Sequence, residues 1–164
     1  MKKTDLAYIA GIVDGEGTVG IARMRRKESK SWTYTLRVSV QMSAEFIARW
    51  LQFSFGGRVY PRRWSGQNWK AQYQWVISGE EAGGFLKAIL PYLRLKRAQA
   101  ELVFRFMEIK GKGQRANAFE RYIQELHYQE IKKLNRRGVN GRENKSDVSS
   151  MRDDAVSGES GEDG

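Results

Sequence analysis

The sequence contains no cysteine and a single histidine, His127, and these absences narrow the chemistry that the protein can perform. Without cysteine there are no disulfides, no thiolate nucleophile and no cysteine-bound zinc. One histidine argues against a serine-type triad and against a multi-histidine metal site within one subunit. Any catalysis must therefore rest on carboxylates, lysines and a metal ion that prefers oxygen ligands.

Long apolar runs are also absent, so no segment is expected to cross a membrane. Residues 1–5 lack the basic-then-apolar order of a signal peptide. We therefore expect an intracellular protein without signal or transit peptide, in a bacterial or archaeal cytoplasm or encoded within an organelle. Residues 138–164 are mostly Gly, Ser, Asn and charged residues, which predicts one folded domain over 1–137 and a disordered tail over 138–164.

Negative charge is scarce in the part of the chain that is expected to fold. Residues 1–137 carry 26 Lys or Arg and 12 Asp or Glu, a net charge of +14, whereas residues 138–164 carry 3 and 7, a net charge of −4. A folded region this basic indicates a polyanionic partner, and nucleic acid is the commonest one. The alternative is a basic protein that has no such partner.

Hydrophobic periodicity predicts the element order α-ββ-α-ββ-α-α-α, hence an α+β fold with a four-stranded antiparallel sheet and helices on one face. Strands are predicted over 18–26, 35–42, 58–64 and 69–78. Helices are predicted over 5–15, from a cap at Ser43 to about 55, and over 80–93, 95–110 and 118–137.

The predicted sheet has one apolar face and one polar, basic face. Over residues 35–42, aliphatic residues and Met alternate with polar residues, and between Thr18 and Trp75 there are 11 basic residues but 2 acidic ones. A twisted ribbon of this kind fits the DNA major groove, where Arg reads guanine and Gln reads adenine. In the first strand, the alternation of Val19, Ile21 and Arg23 with Gly20 and Met24 does not decide which face is exposed. A solvated sheet face without a ligand is the alternative. The side chains predicted to contact double-stranded DNA are Arg23, Arg26, Thr35, Arg37, Ser39, Gln41, Arg62, Lys70, Gln72 and Gln74.

Small residues recur at four-residue spacing in the first helix, at Ala7, Gly11 and Gly15. Four-residue spacing places them on one side of a helix, as a smooth stripe that lets a second helix approach closely. The stripe either packs against the chain's own core or forms a dimer interface.

Residues 9–17, IAGIVDGEG, resemble the LAGLIDADG signature along its whole length: apolar, Ala, Gly, two apolar residues, Asp, a small residue, an acid and Gly. The resemblance continues to a helix Trp at position 50 and to the segment LPYLRLKRAQAEL, residues 90–102, and it covers roughly residues 6–110. The chain is thereby identified as similar to the single-motif LAGLIDADG homing endonucleases.

The resemblance implies an αββαββα core that dimerises through the motif helix at Ala7, Gly11 and Gly15. It implies metal-dependent hydrolysis of both strands of a long, pseudo-palindromic site, with a staggered cut that leaves 3′ overhangs. The implied metal is Mg²⁺ or Mn²⁺, with Glu16 and the carbonyl of Gly15 as ligands and Lys96 as the second catalytic residue. The reading frame would belong to a mobile intron or intein.

Two departures from the family pattern bear on activity. Glu16 replaces the commoner final Asp of the motif, and Ala44 and Ala48 occupy the positions where some members carry a Gln and an Arg that line the water network. Asp14, two residues before Glu16, points to a different helix face and is expected to be structural. The alternative function is nucleic-acid binding without cleavage, by a maturase acting on its own intron RNA or by a DNA-binding regulator.

Overall fold

The computed structural model describes residues 1–25, 32–62, 71–109 and 116–136; the predicted tail, the boundary at 137, Arg26 and Lys70 lie outside them. The elements are α1 (Lys3–Glu16), β1 (Gly17–Arg25), β2 (Trp32–Met42), α2 (Glu45–Phe55), β3 (Arg58–Arg62), β4 (Gln72–Ser78), α3 (Gly79–Ile89), α4 (Arg97–Ile109) and α5 (Ala118–Leu134). A 3-10 turn, Leu90–Tyr92, connects α3 to α4. The predicted α+β class and the order of elements are confirmed.

The four strands form one antiparallel sheet in the order β1-β2-β4-β3, so the two hairpins meet through β2 and β4. The register pairs Val38 with Val19 on one side and with Ile77 on the other, which aligns the buried side chains of three strands in one row. As predicted from the alternation, Leu36, Val38 and Val40 are buried.

The core lies between this apolar sheet face and the helices. Trp75 and Phe85 are almost fully buried, and their rings meet edge to face with centroids 5.0 Å apart. The indole N–H of Trp75 donates to the carbonyl oxygen of Gly56 at 2.9 Å, which ties the end of α2 to β4. A Cβ on Gly57 would lie 2.5 Å from the carbonyl oxygen of Val76, so the chain can pass this close to β4 only as glycine.

Helix α1 is longer than predicted at both ends. It begins at Lys3, where the carboxylate of Asp5 accepts the backbone N–H of Lys2 at 3.1 Å, and it continues through Gly15 to Glu16. A Cβ on Gly17 would lie 2.5 Å from the Val13 carbonyl oxygen, so glycine permits the direct step from helix to strand. At α2 the predicted cap, Ser43, is also displaced by one residue, since Ala44 precedes the helix.

The structure corrects the assignment of Arg23 to the DNA-facing side. Arg23 lies on the helix-packed side of β1, where its guanidinium is 3.3 Å from the carboxylate of Glu125 in α5. It also stacks over the rings of Trp32 and Tyr128, at 4.5 and 4.8 Å from their centroids. The physical reason is that α5 covers this end of β1 and provides a carboxylate, whereas the strands of the sheet contain none.

A second contact holds Glu125 at the same place. The hydroxyl of Tyr34 donates to the Glu125 carboxylate, and burial together with this bond raises the pKa of Tyr34 to about 12. Burial alone would raise the pKa of Glu125, but hydrogen bonds from Tyr34 and Gln129 and the charge of Arg23 lower it. The cluster therefore keeps an ionised carboxylate beside Arg23 and fixes α5 to the sheet.

Candidate active site and nucleic-acid interface

The C-terminal end of α1 presents a carboxylate to solvent. Glu16 is the last residue of the helix, directly before β1, and both Glu16 and the preceding Gly15 are exposed. The unpaired carbonyl groups at a helix C-terminus carry partial negative charge, which adds to that of the carboxylate and favours a cation there. Among the described residues, no group of three His, Cys, Asp or Glu side chains lies close enough together to hold a metal ion.

Asp14 has a different task from Glu16, as predicted. Its two carboxylate oxygens accept the backbone N–H groups of Arg94, at 2.8 Å, and Lys96, at 2.9 Å. The bonds cross 80 and 82 positions of sequence and fix the loop that leads into α4 against the end of α1. With both oxygens engaged, Asp14 positions the loop and leaves Glu16 as the carboxylate that faces outward.

The same loop places the predicted catalytic lysine beside the motif. The ammonium of Lys96 donates a hydrogen bond to the backbone carbonyl oxygen of Asp14, within the last turn of α1. Lys96 is half-buried and therefore restricted in its rotamers. The two residues predicted to be catalytic, Glu16 and Lys96, are thus brought to one end of one helix.

Replacing Asp14 by asparagine should disrupt this loop. One carboxylate oxygen becomes an NH₂ group that faces a backbone donor, and leaving that donor unpaired costs about 1–3 kcal/mol. We expect the free energy of unfolding in urea to fall by about this amount. Asp5→Asn is the matched control, since Asp5 accepts one exposed backbone N–H and its amide keeps an acceptor; equal stability of the two variants would contradict the prediction.

The stripe of small residues on α1 faces outward. Ala7, Gly11 and Gly15 are exposed, while Ile9 and Val13 on the opposite side of the helix are fully buried. A Cβ placed on Gly11 or Gly15 would meet no atom of the described residues within 4 Å. The alternative that these residues pack against the chain's own core is therefore excluded for the described part of the chain.

The sheet face opposite the helices is polar, and its four strands contain no Asp or Glu. Thr35, Ser39 and Gln41 lie on it, partly exposed, together with the more exposed Arg37. A depression of about 500 Å³ opens on this face, lined by Arg37, Tyr60, Pro61, Arg62, Gln74, Val76 and Ser78.

Two curated relatives match this chain. The DNA endonuclease I-CvuI of Chlorella vulgaris is 31% identical over 106 residues, which are 62% of this chain and 63% of that protein. The DNA endonuclease I-CreI of Chlamydomonas reinhardtii is 27% identical over 107 residues, which are 65% and 64% of the two chains. The match thus spans a little less than two thirds of either relative. No family model matches the chain.

Solved structures show the same fold. A structure of I-CvuI in complex with the I-CreI target, in the presence of 2 mM Mg, superposes with a TM-score of 0.70 at 23% identity, over 83% of this chain and 84% of that one. The LAGLIDADG homing endonuclease I-SmaMI, bound to cleaved DNA, gives a TM-score of 0.55 at 17% identity, over 97% of this chain and 51% of that one. This chain is related to the LAGLIDADG homing endonucleases.

The motif helix is α1, and the two alanines that depart from the family pattern, Ala44 and Ala48, have different structural settings. Ala48 lies in the core with 1% of its surface exposed, so an Arg at this position would need the core to open. Ala44 is exposed at the N-terminus of α2, where a Gln could be accommodated. The structure therefore explains the alanine at 48 by packing, and nothing in it explains the alanine at 44.

Pairing of the strands adds side chains to the polar face that the sequence did not assign, among them Arg58, Tyr60, Val76 and Ser78. Arg58 and Tyr60 lie on it because they alternate with Val59 on β3, and Val76 lies opposite Arg58 on β4. The alternation Arg58, Tyr60, Arg62 could have indicated the first two. The position of Tyr60 and Val76 in the depression, together with Gln74, depends on the register of β3 and β4, which no local pattern shows.

Proposed function

We propose that the protein is a site-specific double-strand DNA endonuclease that works as a homodimer and hydrolyses phosphodiesters with a divalent metal ion. One observation carries the proposal: Asp14 fixes the loop that bears Lys96 against the exposed end of the motif helix, whose last residue is Glu16. The relationship to I-CvuI and I-CreI supports it. Such an enzyme would act inside the cell, in a bacterial or archaeal cytoplasm or in an organelle.

The exposed surface of α1 supports the proposed dimer. An exposed stripe of Ala7, Gly11 and Gly15 lets a second copy of the helix approach at backbone distance, and a two-fold axis makes such a surface self-complementary. Each protomer then contributes one Glu16 near the axis, and the polar faces of the two sheets extend to either side. This arrangement suits a long, pseudo-palindromic duplex site.

The residues present fit Mg²⁺ or Mn²⁺, because the exposed donors at the end of α1 are the carboxylate of Glu16 and the carbonyl of Gly15, both hard oxygen ligands. A bound divalent ion supplies a water of lowered pKa and stabilises charge on the departing oxygen. Glu16 would hold the ion, and Lys96 would place positive charge beside the phosphate as negative charge develops there. By the family resemblance, the cuts leave 3′ overhangs.

The polar sheet face would hold the duplex. Its arginines, glutamines and hydroxyl groups match the donors and acceptors of base edges, and the absence of carboxylates on its strands avoids repulsion of phosphates. Arg37 and Arg62 at the rim of the depression are the charged side chains best placed for this role. Affinity should fall steeply with salt concentration.

The second candidate is a protein that binds DNA, or its own intron RNA, without cleavage. The alanines at 44 and 48 favour it, because they supply no side chain to order water near the phosphate. The carboxylate of Glu16 argues against it, since a pure binder gains nothing from a negative charge that faces phosphates.

Two steps separate the two candidates. Bound duplexes are selected from a randomised library, and plasmids that carry the selected site are then tested for cleavage. We expect linear plasmid with Mg²⁺, and binding without cleavage with Ca²⁺ or EDTA. Tight binding with no cut in Mg²⁺ or Mn²⁺ would leave the non-cleaving function. RNA of the same sequence is the control for the nucleic-acid partner.

A further inference from the structure

Two glutamines of β4 face the polar side of the sheet, and the structure holds them differently. Arg62 donates to the Oε1 atom of Gln74 from Nε at 3.2 Å and from Nη2 at 2.8 Å. Arg62 reaches Gln74 along the diagonal of the β3–β4 ladder, because its direct partner in register is Gln72. The amide of Gln72 makes no side-chain hydrogen bond to any residue in the described ranges.

The contact with Arg62 fixes the orientation of the Gln74 amide. A guanidinium has five N–H donors and no acceptor, so the amide oxygen must face it and the NH₂ group must point away. Two donors also occupy both lone pairs of this oxygen. The groups that the pair still offers to a ligand are the amide NH₂ of Gln74 and the remaining N–H groups of Arg62, which are all donors.

A base pair in the major groove would meet these donors at the depression, whose lining includes both side chains. An unrestrained glutamine recognises adenine because its oxygen accepts from N6 while its NH₂ donates to N7. Guanine instead presents two acceptors, N7 and O6, which suit a surface that offers donors alone. Adenine would place its N6 amino group against an NH₂ group, and neither could accept a hydrogen bond.

We infer that Arg62 makes Gln74 a guanine-reading residue, whereas Gln72, on the same face of the same strand, keeps the adenine preference of a glutamine amide that no described residue orients. The inference rests on the proposed DNA-binding function and names the residues that set its sequence specificity. It reverses, for Gln74, the rule that a glutamine on such a surface reads adenine.

The pair should persist when DNA binds. Rotation of the Gln74 amide toward adenine would remove the acceptor from two charged N–H groups of Arg62. In an interface from which water is displaced, unpaired donors of this kind are costly, and bonds that involve a charged donor are stronger than neutral ones. Gln74 is also half-buried, so its surroundings restrict other rotamers.

The test uses the full chain and selection of bound duplexes in Ca²⁺, so that cleavage plays no part. Gln74→Ala and Gln72→Ala identify the base pair that each glutamine contacts, as the position in each half-site where preference is lost. Arg62→Met then removes the donors but keeps an unbranched stem. Arg58→Met is the matched control, because Arg58 is an exposed arginine of the same strand and face but lies opposite Val76.

At the Gln74 position we expect guanine in the wild type and a change to adenine in Arg62→Met, with discrimination of at least about fivefold in each case. At the Gln72 position we expect adenine in both, and Arg58→Met should weaken binding without changing either base. Four results would each overturn the inference and leave the endonuclease proposal intact. They are adenine at the Gln74 position in the wild type, guanine retained in Arg62→Met, no position affected by Gln74→Ala, and the same change in Arg58→Met. A wild-type protein that enriches no duplex would overturn the proposed function, and the inference with it.

Discussion

Glu16→Gln is expected to abolish cleavage of the selected duplex while DNA binding stays the same or becomes tighter. Glutamine has the same shape but no charge, so it is a poor ligand for Mg²⁺ and repels phosphates less. Loss of residues that merely support a metal ligand lowers metal affinity or activity by about 10- to 100-fold. Loss of the ligand itself should therefore lower the single-turnover cleavage rate by more than about a hundredfold. Binding is to be measured in parallel by fluorescence anisotropy in Ca²⁺.

The matched control for this prediction is Glu108→Gln, which neutralises an exposed glutamate of α4 outside the candidate site. It should cut at the wild-type rate. A Glu16→Gln protein that cuts within a few-fold of wild type would remove Glu16 from the catalytic site, and loss of both binding and cleavage would indicate a structural role instead.

Gly11→Arg and Gly15→Arg are expected to give folded monomers. Both glycines face open space within the described chain, so the new side chains meet nothing in the protomer. In a dimer they would occupy the space of the partner helix, and two like charges would meet across the two-fold axis. Replacement of a helical glycine also favours the helix by about 0.5–1 kcal/mol. The substitutions should therefore not destabilise the protomer itself or lower its midpoint of thermal unfolding.

Sedimentation equilibrium is the measurement for this second prediction. Gly84→Arg is the matched control, because Gly84 is likewise an exposed glycine within a helix and a Cβ there meets nothing within 4 Å. It should remain dimeric at concentrations where the α1 variants are monomeric. Dimers of unchanged strength in both α1 variants would refute α1 as the interface and require another surface for the second copy.

The sequence by itself determined the fold class and predicted where the chemistry takes place. Period-two alternation over residues 35–42 identified the buried face of β2, because successive side chains of a strand point to opposite sides of the sheet. The motif identified α1 and separated Glu16 from Asp14, since residues two positions apart on a helix point to different faces. The alternation and the motif each lie within a few consecutive residues, so both can be recognised without the tertiary structure.

The tertiary structure decided what depends on residues far apart in the chain. Arg23 could not be assigned from β1, because the carboxylate that holds it, Glu125, comes 102 positions later in α5. Strand register likewise determined the partner of Gln74, because the donors that orient its amide belong to Arg62 on the neighbouring strand. The sequence therefore specified which groups are present, and only packing between distant elements determined their partners, because side-chain hydrogen bonds and ion pairs form between neighbours in space.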